Sequence, residues 1–139
     1  MKHFSYIIFC IHFYTIVSYI VKYTFQQNFY HNFIVKICIN SPLNCFPFKL
    51  STTTNHIFVF NSKYYKGGFN PDLSNTLTIM KESVDIFHNT NFIQGHYAYD
   101  NLYIKDTRIE LKSVKFILVD KGFNCFENYK GIIVLALKK

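Results

Sequence analysis

Hydrophobic residues in this chain occur in short runs that are separated by residues typical of turns. The runs are rich in Phe, Tyr, Ile and Val, which favour strands. Asn, Pro, Gly and Asp interrupt them at 40–44, 66–72 and 89–91. Many short strands at even spacing predict a mostly β chain, either a sandwich or a barrel. The predicted strands are 33–39, 46–50, 57–60, 83–87, 92–104, 113–119 and 132–137.

Three positions refine these strands. The Asn-Thr-Asn sequence at 89–91 predicts the tip of a hairpin. Pro42 supplies the fixed φ of a turn at 40–44. Pro47 has no N–H to donate to a neighbouring strand, so we expect 46–50 to be an edge strand or to contain a bulge.

The composition is that of one compact β domain. The chain has 139 residues, which is a one-domain length. It is 50% hydrophobic and 17% charged, whereas disordered chains combine low hydrophobicity with high charge. Five Gly and three Pro are too few for a collagen-like chain.

The positive charge is dispersed along the chain. The formal net charge is +7, but no run of Lys or Arg exceeds two residues, and Arg108 is the one arginine. Proteins that bind nucleic acids usually cluster these residues on one face. We therefore expect solvated lysines and no nucleic-acid partner.

The N-terminal segment has the layout of a secretion signal. Lys2 and His3 precede an apolar stretch that extends to Val21. No A-x-A cleavage pattern follows, and about 18 apolar residues also suffice for a membrane anchor. We therefore predict a signal peptide or signal anchor over 1–21. The rest of the chain is expected to be secreted, extracellular or in the endomembrane lumen, with membrane contact only where the leader is not cleaved.

The cysteines leave an odd number beyond this leader. Cys10 lies within it, and Cys38, Cys45 and Cys125 follow. One of these three stays free or pairs between chains, and the sequence does not fix the pairing. There is no C-x-x-C and no Cys/His ligand spacing, so no metal site and no cofactor are predicted.

The segment 40–59 resembles, without a gap, the entry to the active site of pepsin-like aspartic proteases, G-T-P-x-Q-x-F-x-V-x-x-D-T-G-S-S-x-L-W-V. The matching residues are Pro42, Phe46, Thr52 and Val59. Three further family blocks follow in order. They are F-x-P-x-x-S-S-T at 69–76, the flap hairpin at 86–104 and F-D-G-I-L-G-L-A at 129–136. Within the flap block the matching residues are Ile86, Gly95, Asp100 and Ile104.

The resemblance implies a fold and a domain organisation. Residues 29–139 would form the N-terminal lobe of a mostly β, pepsin-like double-ψ β-barrel fold, preceded by the hydrophobic leader. In the family a second lobe brings a second D-T/S-G motif, which this sequence does not contain.

The resemblance also places Ser51 where the family has its catalytic Asp, followed by Thr52, Thr53 and Thr54. Aspartic proteolysis needs two carboxylates that share one proton, and a hydroxyl supplies neither the base nor the shared proton. Thr53 replaces a Gly, so we expect a changed loop shape. His56 is expected on the opposite face of a strand from Ser51, which argues against a Ser–His dyad.

The flap tip implied by the resemblance comprises His88, Asn89, Thr90 and Asn91. His88 stands at the position of the flap Tyr, and the two Asn stand at the positions of the flap Gly residues. Asn tolerates left-handed turns, so we expect the hairpin tip to persist without the hydrogen bond of the Tyr.

Three other carboxylates were considered as substitutes for the missing Asp. Asp100 matches a structural Asp in the return strand of the family's flap. Asp85 and Asp106 are expected to be solvated.

The function implied is that of a non-catalytic, secreted aspartic-protease-like protein that binds a peptide or a protein, with a second lobe or a homodimer as alternative partners. Three other hypotheses stay open. The first is an active aspartic endopeptidase whose chain is incomplete here, and the second is a decayed gene fragment without function. The third, which rests only on the long leader, is a small membrane-anchored adhesion-type protein. A second D-T/S-G block downstream would favour the first of these, and absence of a secreted product would favour the second.

Overall fold

The computed structural model describes nearly all of the chain between residues 33 and 134 and three short pieces before it. The described residues are 7–10, 20–23, 26–27, 33–88, 91–123 and 128–134. Most of the predicted leader at 1–21, and all of Cys125, lie outside them. In this described part, no helix has the length and the apolar character needed to span a bilayer.

Most of the described residues lie in strands, which confirms the prediction of a mostly β protein. A 3₁₀ turn at Pro71–Leu73 interrupts them. The strands are β1 (Ile7–Cys10), β2 (Ile20–Tyr23), β3 (Gln26–Gln27), β4 (Phe33–Ile39), β5 (Cys45–Ser51), β6 (Phe58–Phe60), β7 (Thr78–His88), β8 (Asn91–Ile104), β9 (Glu110–Lys121) and β10 (Gly131–Val134).

The main sheet closes on itself. β1 and β2 form a separate antiparallel pair, and the other eight strands form one sheet in the order β3-β4-β5-β10-β6-β9-β8-β7. β4 also pairs with β8. A ring of six hydrogen-bonded neighbours is therefore formed by β4, β5, β10, β6, β9 and β8. β3 and β7 lie outside this ring. The main body is thus one curved sheet and not the two packed sheets of a sandwich.

The hairpin of β4 and β5 has the predicted position. β4 has the predicted bounds, and the turn is closed by a hydrogen bond from the Ile39 N–H to the Asn44 carbonyl at 3.0 Å. Asn40 has a φ of 65°, which Asn tolerates better than most residues. Cys38 and Cys45 are opposite each other and form a disulfide, which resolves a pairing that the sequence left open.

Pro47 does not mark an edge strand, and that prediction was wrong. β5 lies between β4 and β10, and no register shift interrupts its pairing with β4. The ladder with β10 begins only at Lys49, so Pro47 has no partner there that requires an N–H. Its carbonyl accepts a hydrogen bond from the Lys130 N–H at 2.7 Å. Proline is accommodated in an interior strand because the neighbouring strand starts beyond it.

β10 is inserted between two strands that are consecutive in sequence. It runs parallel to β5, with Ile132 opposite Lys49, and antiparallel to β6, with Ile132 opposite Phe58. β6 in turn runs parallel to β9, and β9 runs antiparallel to β8. The sheet therefore mixes parallel and antiparallel pairs at its centre.

The core has two parts that meet at β6 and β9. Val59 and Leu118 belong to one cluster, which also contains residues of β4, β5 and β8. Phe58, Ile117 and Val119 belong to the other, which includes Tyr65 and Tyr129 among its buried residues. Both faces are covered along β6 and over residues 116–119 of β9, so these segments are continuous apolar runs and do not alternate.

The hairpin of β7 and β8 is longer than predicted. β7 begins at Thr78, not at 83, and a register shift lies between Ile79 and Ser83. Most of β7 is exposed, so its sequence carries no clear alternation from which the start could have been read. The predicted hairpin itself is confirmed, since His88 is opposite Asn91.

Candidate functional site

Ser51 is the last residue of β5, at the point where β5 pairs with the inserted strand β10. It is opposite Val134. Its Oγ lies 3.0 Å from Thr53 Oγ1 and accepts a hydrogen bond from the Thr53 N–H at 3.2 Å. Within the described residues, Thr53 is the only hydrogen-bond partner of the Ser51 side chain. Ser51 thus closes a small turn of the kind that serine often forms.

The loop after Ser51 is not a strand, so the reasoning that set His56 on the opposite strand face had a wrong premise. The His56 N–H donates to Thr54 Oγ1 at 3.1 Å. Its imidazole lies 6.1 Å from the Phe58 ring and 6.4 Å from the Tyr97 ring. In this described loop the imidazole therefore has aromatic neighbours and no hydrogen bond to Ser51.

The backbone φ of Thr53 is not positive, although the resemblance places Thr53 at a Gly position. Among the described residues other than glycine, positive φ occurs at Asn40, Asp106 and Ser113. The loop therefore needs no glycine at residue 53. Thr52 is exposed to solvent. That the loop differs in shape from the family's loop stays a prediction.

The β7–β8 hairpin carries the residues of the predicted flap tip. His88 and Asn91 are the last register pair, while Asn89, Thr90 and the side chains of His88 and Asn91 lie outside the description. Directly below the tip, the rings of Phe87 and Phe92 are 5.1 Å apart. Phe87 is 77% exposed. The hairpin therefore presents an aromatic pair to solvent.

Asp100 has the structural role expected of it. It is 1% exposed, and its carboxylate accepts hydrogen bonds from Ser74 Oγ, Thr76 Oγ1 and the Asn101 N–H. Thr76 Oγ1 also lies 2.9 Å from Asn40 Oδ1. This network fastens the loop around the 3₁₀ turn to β8 and to the β4–β5 turn. Asp85 and Asp106 are exposed, as expected.

A second polar cluster was missed by the sequence reasoning. The Asn61 side-chain amide donates to Asp120 Oδ1 at 2.9 Å, and His96 Nδ1 lies 3.1 Å from Asp120 Oδ2. The three residues come from the end of β6, from β8 and from β9. No local motif joins them, because 24 residues separate His96 from Asp120 and 59 separate Asn61 from Asp120.

This cluster borders an open cleft of about 490 Å³. Across the whole described part of the chain, no three His, Cys, Asp or Glu side chains come together as metal ligands would. The polar side chains on the cleft include Ser83, Asp85, Gln94, His96, Asp120 and Lys121.

The pKa of Tyr103 is raised by its surroundings. Its hydroxyl donates to Glu110 Oε1 at 3.0 Å, and this bond raises the pKa of Tyr103 above its ordinary value of 10.0. Burial, and the negative charges of Glu110 and Asp100, act in the same direction.

Comparisons with known proteins assign no family to the chain. No protein-family model matches it. No curated protein sequence matches it either.

Proposed function

We propose that this chain is a non-catalytic relative of the pepsin-like aspartic proteases and that it binds a peptide or a protein partner. The observation that carries the proposal is the position of Ser51. It ends the strand that β10 joins, and its side chain bonds to Thr53 and not to a carboxylate.

The contacts between the four family-like blocks support the proposal. The first block, 40–59, and the last, 129–136, meet through the pairing of β10 with β5 and β6. The second and third blocks meet where Ser74 Oγ donates to Asp100 at 2.7 Å. Segments that are matched separately along the sequence are therefore neighbours in space.

The strand order supports the finer assignment to a double-ψ lobe. A ψ arrangement has one strand inserted between two strands that are consecutive in the chain, parallel to one and antiparallel to the other. β10 has this relation to β5 and β6. This insertion, within a closed ring of six strands, supports the assignment.

The chemistry at residue 51 favours loss of proteolysis. A peptidase of this type uses one carboxylate as the base and the other as the proton donor. Ser51 supplies neither, and a homodimer would bring two serines and no carboxylate. Loss of one member of a catalytic unit costs about 10⁴-fold or more in rate.

The flap hairpin is the surface that we assign to the partner. It carries the exposed pair Phe87 and Phe92. Exposed apolar patches of this kind often mark interaction sites.

The Cys38–Cys45 disulfide suits an oxidising compartment, in keeping with secretion or an endomembrane lumen.

Peptidase activity is tested with a fluorogenic peptide library between pH 3 and pH 7. We expect no pepstatin-sensitive cleavage by the wild type, since Ser51 supplies no carboxylate. We expect none by Ser51→Asp measured as a monomer, since a single carboxylate does not form the proton-sharing pair. Pepstatin-sensitive cleavage that disappears in Ser51→Ala would overturn the proposal in favour of an active endopeptidase.

Partner binding is tested by panning a random decapeptide phage library on the wild type. We expect enriched peptides that lose at least tenfold in affinity for Phe87→Ser/Phe92→Ser. Leu43→Ser is the control, because Leu43 is exposed but lies in the β4–β5 turn. No enrichment on folded protein would contradict binding and support a decayed copy.

A further inference from the structure

A bulge on β9 turns Asp120 toward the cleft. Gln94 is opposite Lys121 and Gly95 is opposite Val119, so Asp120 is an extra residue with no partner on β8. A Cβ at residue 95 would overlap the Leu118 carbonyl oxygen, so glycine is needed for this close approach of β8 and β9.

Asn61 holds the Asp120 carboxylate in one orientation. Asn61 is 8% exposed, and its backbone N–H donates to the Val119 carbonyl at 3.1 Å. Its Oδ1 accepts from the Lys63 N–H at 3.1 Å, so its Nδ2 must be the atom that faces Asp120 Oδ1 at 2.9 Å. The other carboxylate oxygen, Oδ2, is left for His96.

The carboxylate in turn orients the His96 ring. A carboxylate only accepts hydrogen bonds, so the hydrogen of the neutral imidazole lies on Nδ1, 3.1 Å from Asp120 Oδ2. The lone pair is then on Nε2. This is the arrangement in which a histidine serves as a general base.

Ser83 lies beside that base. It is directly opposite His96 in the β7–β8 ladder, and both residues line the cleft. Opposed side chains in an antiparallel pair project to the same face, with Cβ atoms about 4.5–5.5 Å apart. Ser83 is also exposed, so its hydroxyl is open to a substrate.

We propose that Ser83, His96 and Asp120 form a second, esterolytic site that accepts small neutral carboxylic esters. Ser83 and His96 are the catalytic residues, whereas Asp120 and Asn61 position the imidazole. The site is independent of the function proposed above, because Ser51 takes no part in it.

The reaction balances with water as the only co-substrate. Ser83 Oγ bonds to the ester carbonyl carbon while its proton passes to His96 Nε2. The bond to the leaving oxygen then breaks, and that oxygen takes the proton from Nε2. Water, deprotonated by the same Nε2, attacks the acyl-Ser83 ester, which releases the acid and restores the hydroxyl.

The cleft suits a short, uncharged acyl group. It is open and about 490 Å³ in volume, and Gln94 and Lys121 on its lining carry N–H donors for the negative charge that develops on the carbonyl oxygen. The opposite charges of Asp85 and Lys121 on the same cleft suit an uncharged substrate.

The test uses the whole chain with p-nitrophenyl acetate and diisopropyl fluorophosphate. We expect Ser83→Ala and His96→Gln each to lower kcat/KM by about 100-fold. Ser113→Ala and His56→Gln are the matched controls and should keep the wild-type rate. Fluorophosphate should add one phosphoryl group, which peptide mass mapping places on Ser83.

Positioning by Asp120 has its own readout. Asp120→Asn should lower kcat with little change in KM, and ¹⁵N NMR should show the His96 hydrogen moved from Nδ1 to Nε2. The proposal is overturned if wild type and Ser83→Ala hydrolyse the ester within threefold of each other, or if the phosphoryl group is absent or on another residue.

Discussion

The β4–β5 and β7–β8 hairpins are both antiparallel pairs with a short connection, but they differ in what surrounds them. β4 and β5 each have neighbours on both sides, and a disulfide joins them next to their turn. β7 has β8 as its one neighbour among the described strands, and most of its residues are exposed. Both strands of the first hairpin belong to the strand ring, whereas in the second hairpin β8 belongs to it and β7 lies outside.

Because of this difference, we expect the first hairpin to stabilise the fold and the second to contact a ligand. Packing and the disulfide hold the first hairpin in place. Truncation of a buried side chain there is therefore expected to lower the free energy of unfolding as it does in a hydrophobic core. In the second hairpin β7 is held by its ladder to β8, and its exposed side chains are open to a ligand. Ser51 lies at the end of the first hairpin, and Ser83 lies on the outer strand of the second.

The largest expected effect is the difference in stability between two variants, each of which truncates one phenylalanine in one of the hairpins. Phe48 is fully buried in β5, so Phe48→Ala should lower the free energy of unfolding by about 3–5 kcal/mol. Phe87→Ala should change it by no more than about 0.5 kcal/mol, because Phe87 is exposed. Urea denaturation measures both, and similar losses would show that the two hairpins do not differ as described.

Removal of the disulfide should have an intermediate effect. Cys38 and Cys45 are 7 residues apart, and the entropy of closing so short a loop corresponds to about 2.5 kcal/mol. The double variant Cys38→Ala/Cys45→Ala should lose this amount in urea denaturation. Dithiothreitol should destabilise the wild type to the same level and leave the variant unchanged. A wild type insensitive to the reductant would contradict a stabilising disulfide.

The smallest effect is expected where the two hairpins touch, at Tyr103, which is opposite Cys38. The folded pKa of Tyr103 is raised, so the Glu110 contact contributes stability below pH 10 and loses it as pH rises through the folded pKa. Glu110→Ala should return the pKa of Tyr103 toward 10.0. Tyrosine ¹³Cζ NMR, assigned with Tyr103→Phe, measures this shift, and an unchanged titration would count against the hydrogen bond.

The bounds of a strand were predicted well where an apolar run and the turn that ends it were both evident in the sequence. The bounds of β4 were correct because apolar residues fill it and the turn at 40–44 ends it. β7 started earlier than expected because residues 78–82 are exposed on both faces and no alternation marks them. The prediction from Pro47 was wrong because the effect of its missing N–H depends on where the neighbouring strand β10 begins. The sequence around Pro47 does not contain that information.

The candidate sites also differ in whether the local sequence could reveal them. Ser51 could be singled out because a contiguous segment aligns with a family pattern. The His96–Asp120–Asn61 cluster could not, because a β9 bulge and the partnering of distant strands bring it together. The disulfide pairing also needed the hairpin register, since three cysteines remained after the leader.

The insertion of β10 has a consequence for the order of events during synthesis. β6 ends at Phe60 and β10 begins at Gly131, so translation at about 5–20 residues per second separates them by on the order of ten seconds. Throughout this interval the facing edges of β5 and β6 have no strand between them, and unpaired edges readily join other chains. Protection of these two edges on the nascent chain is therefore a requirement that the fold places on the cell.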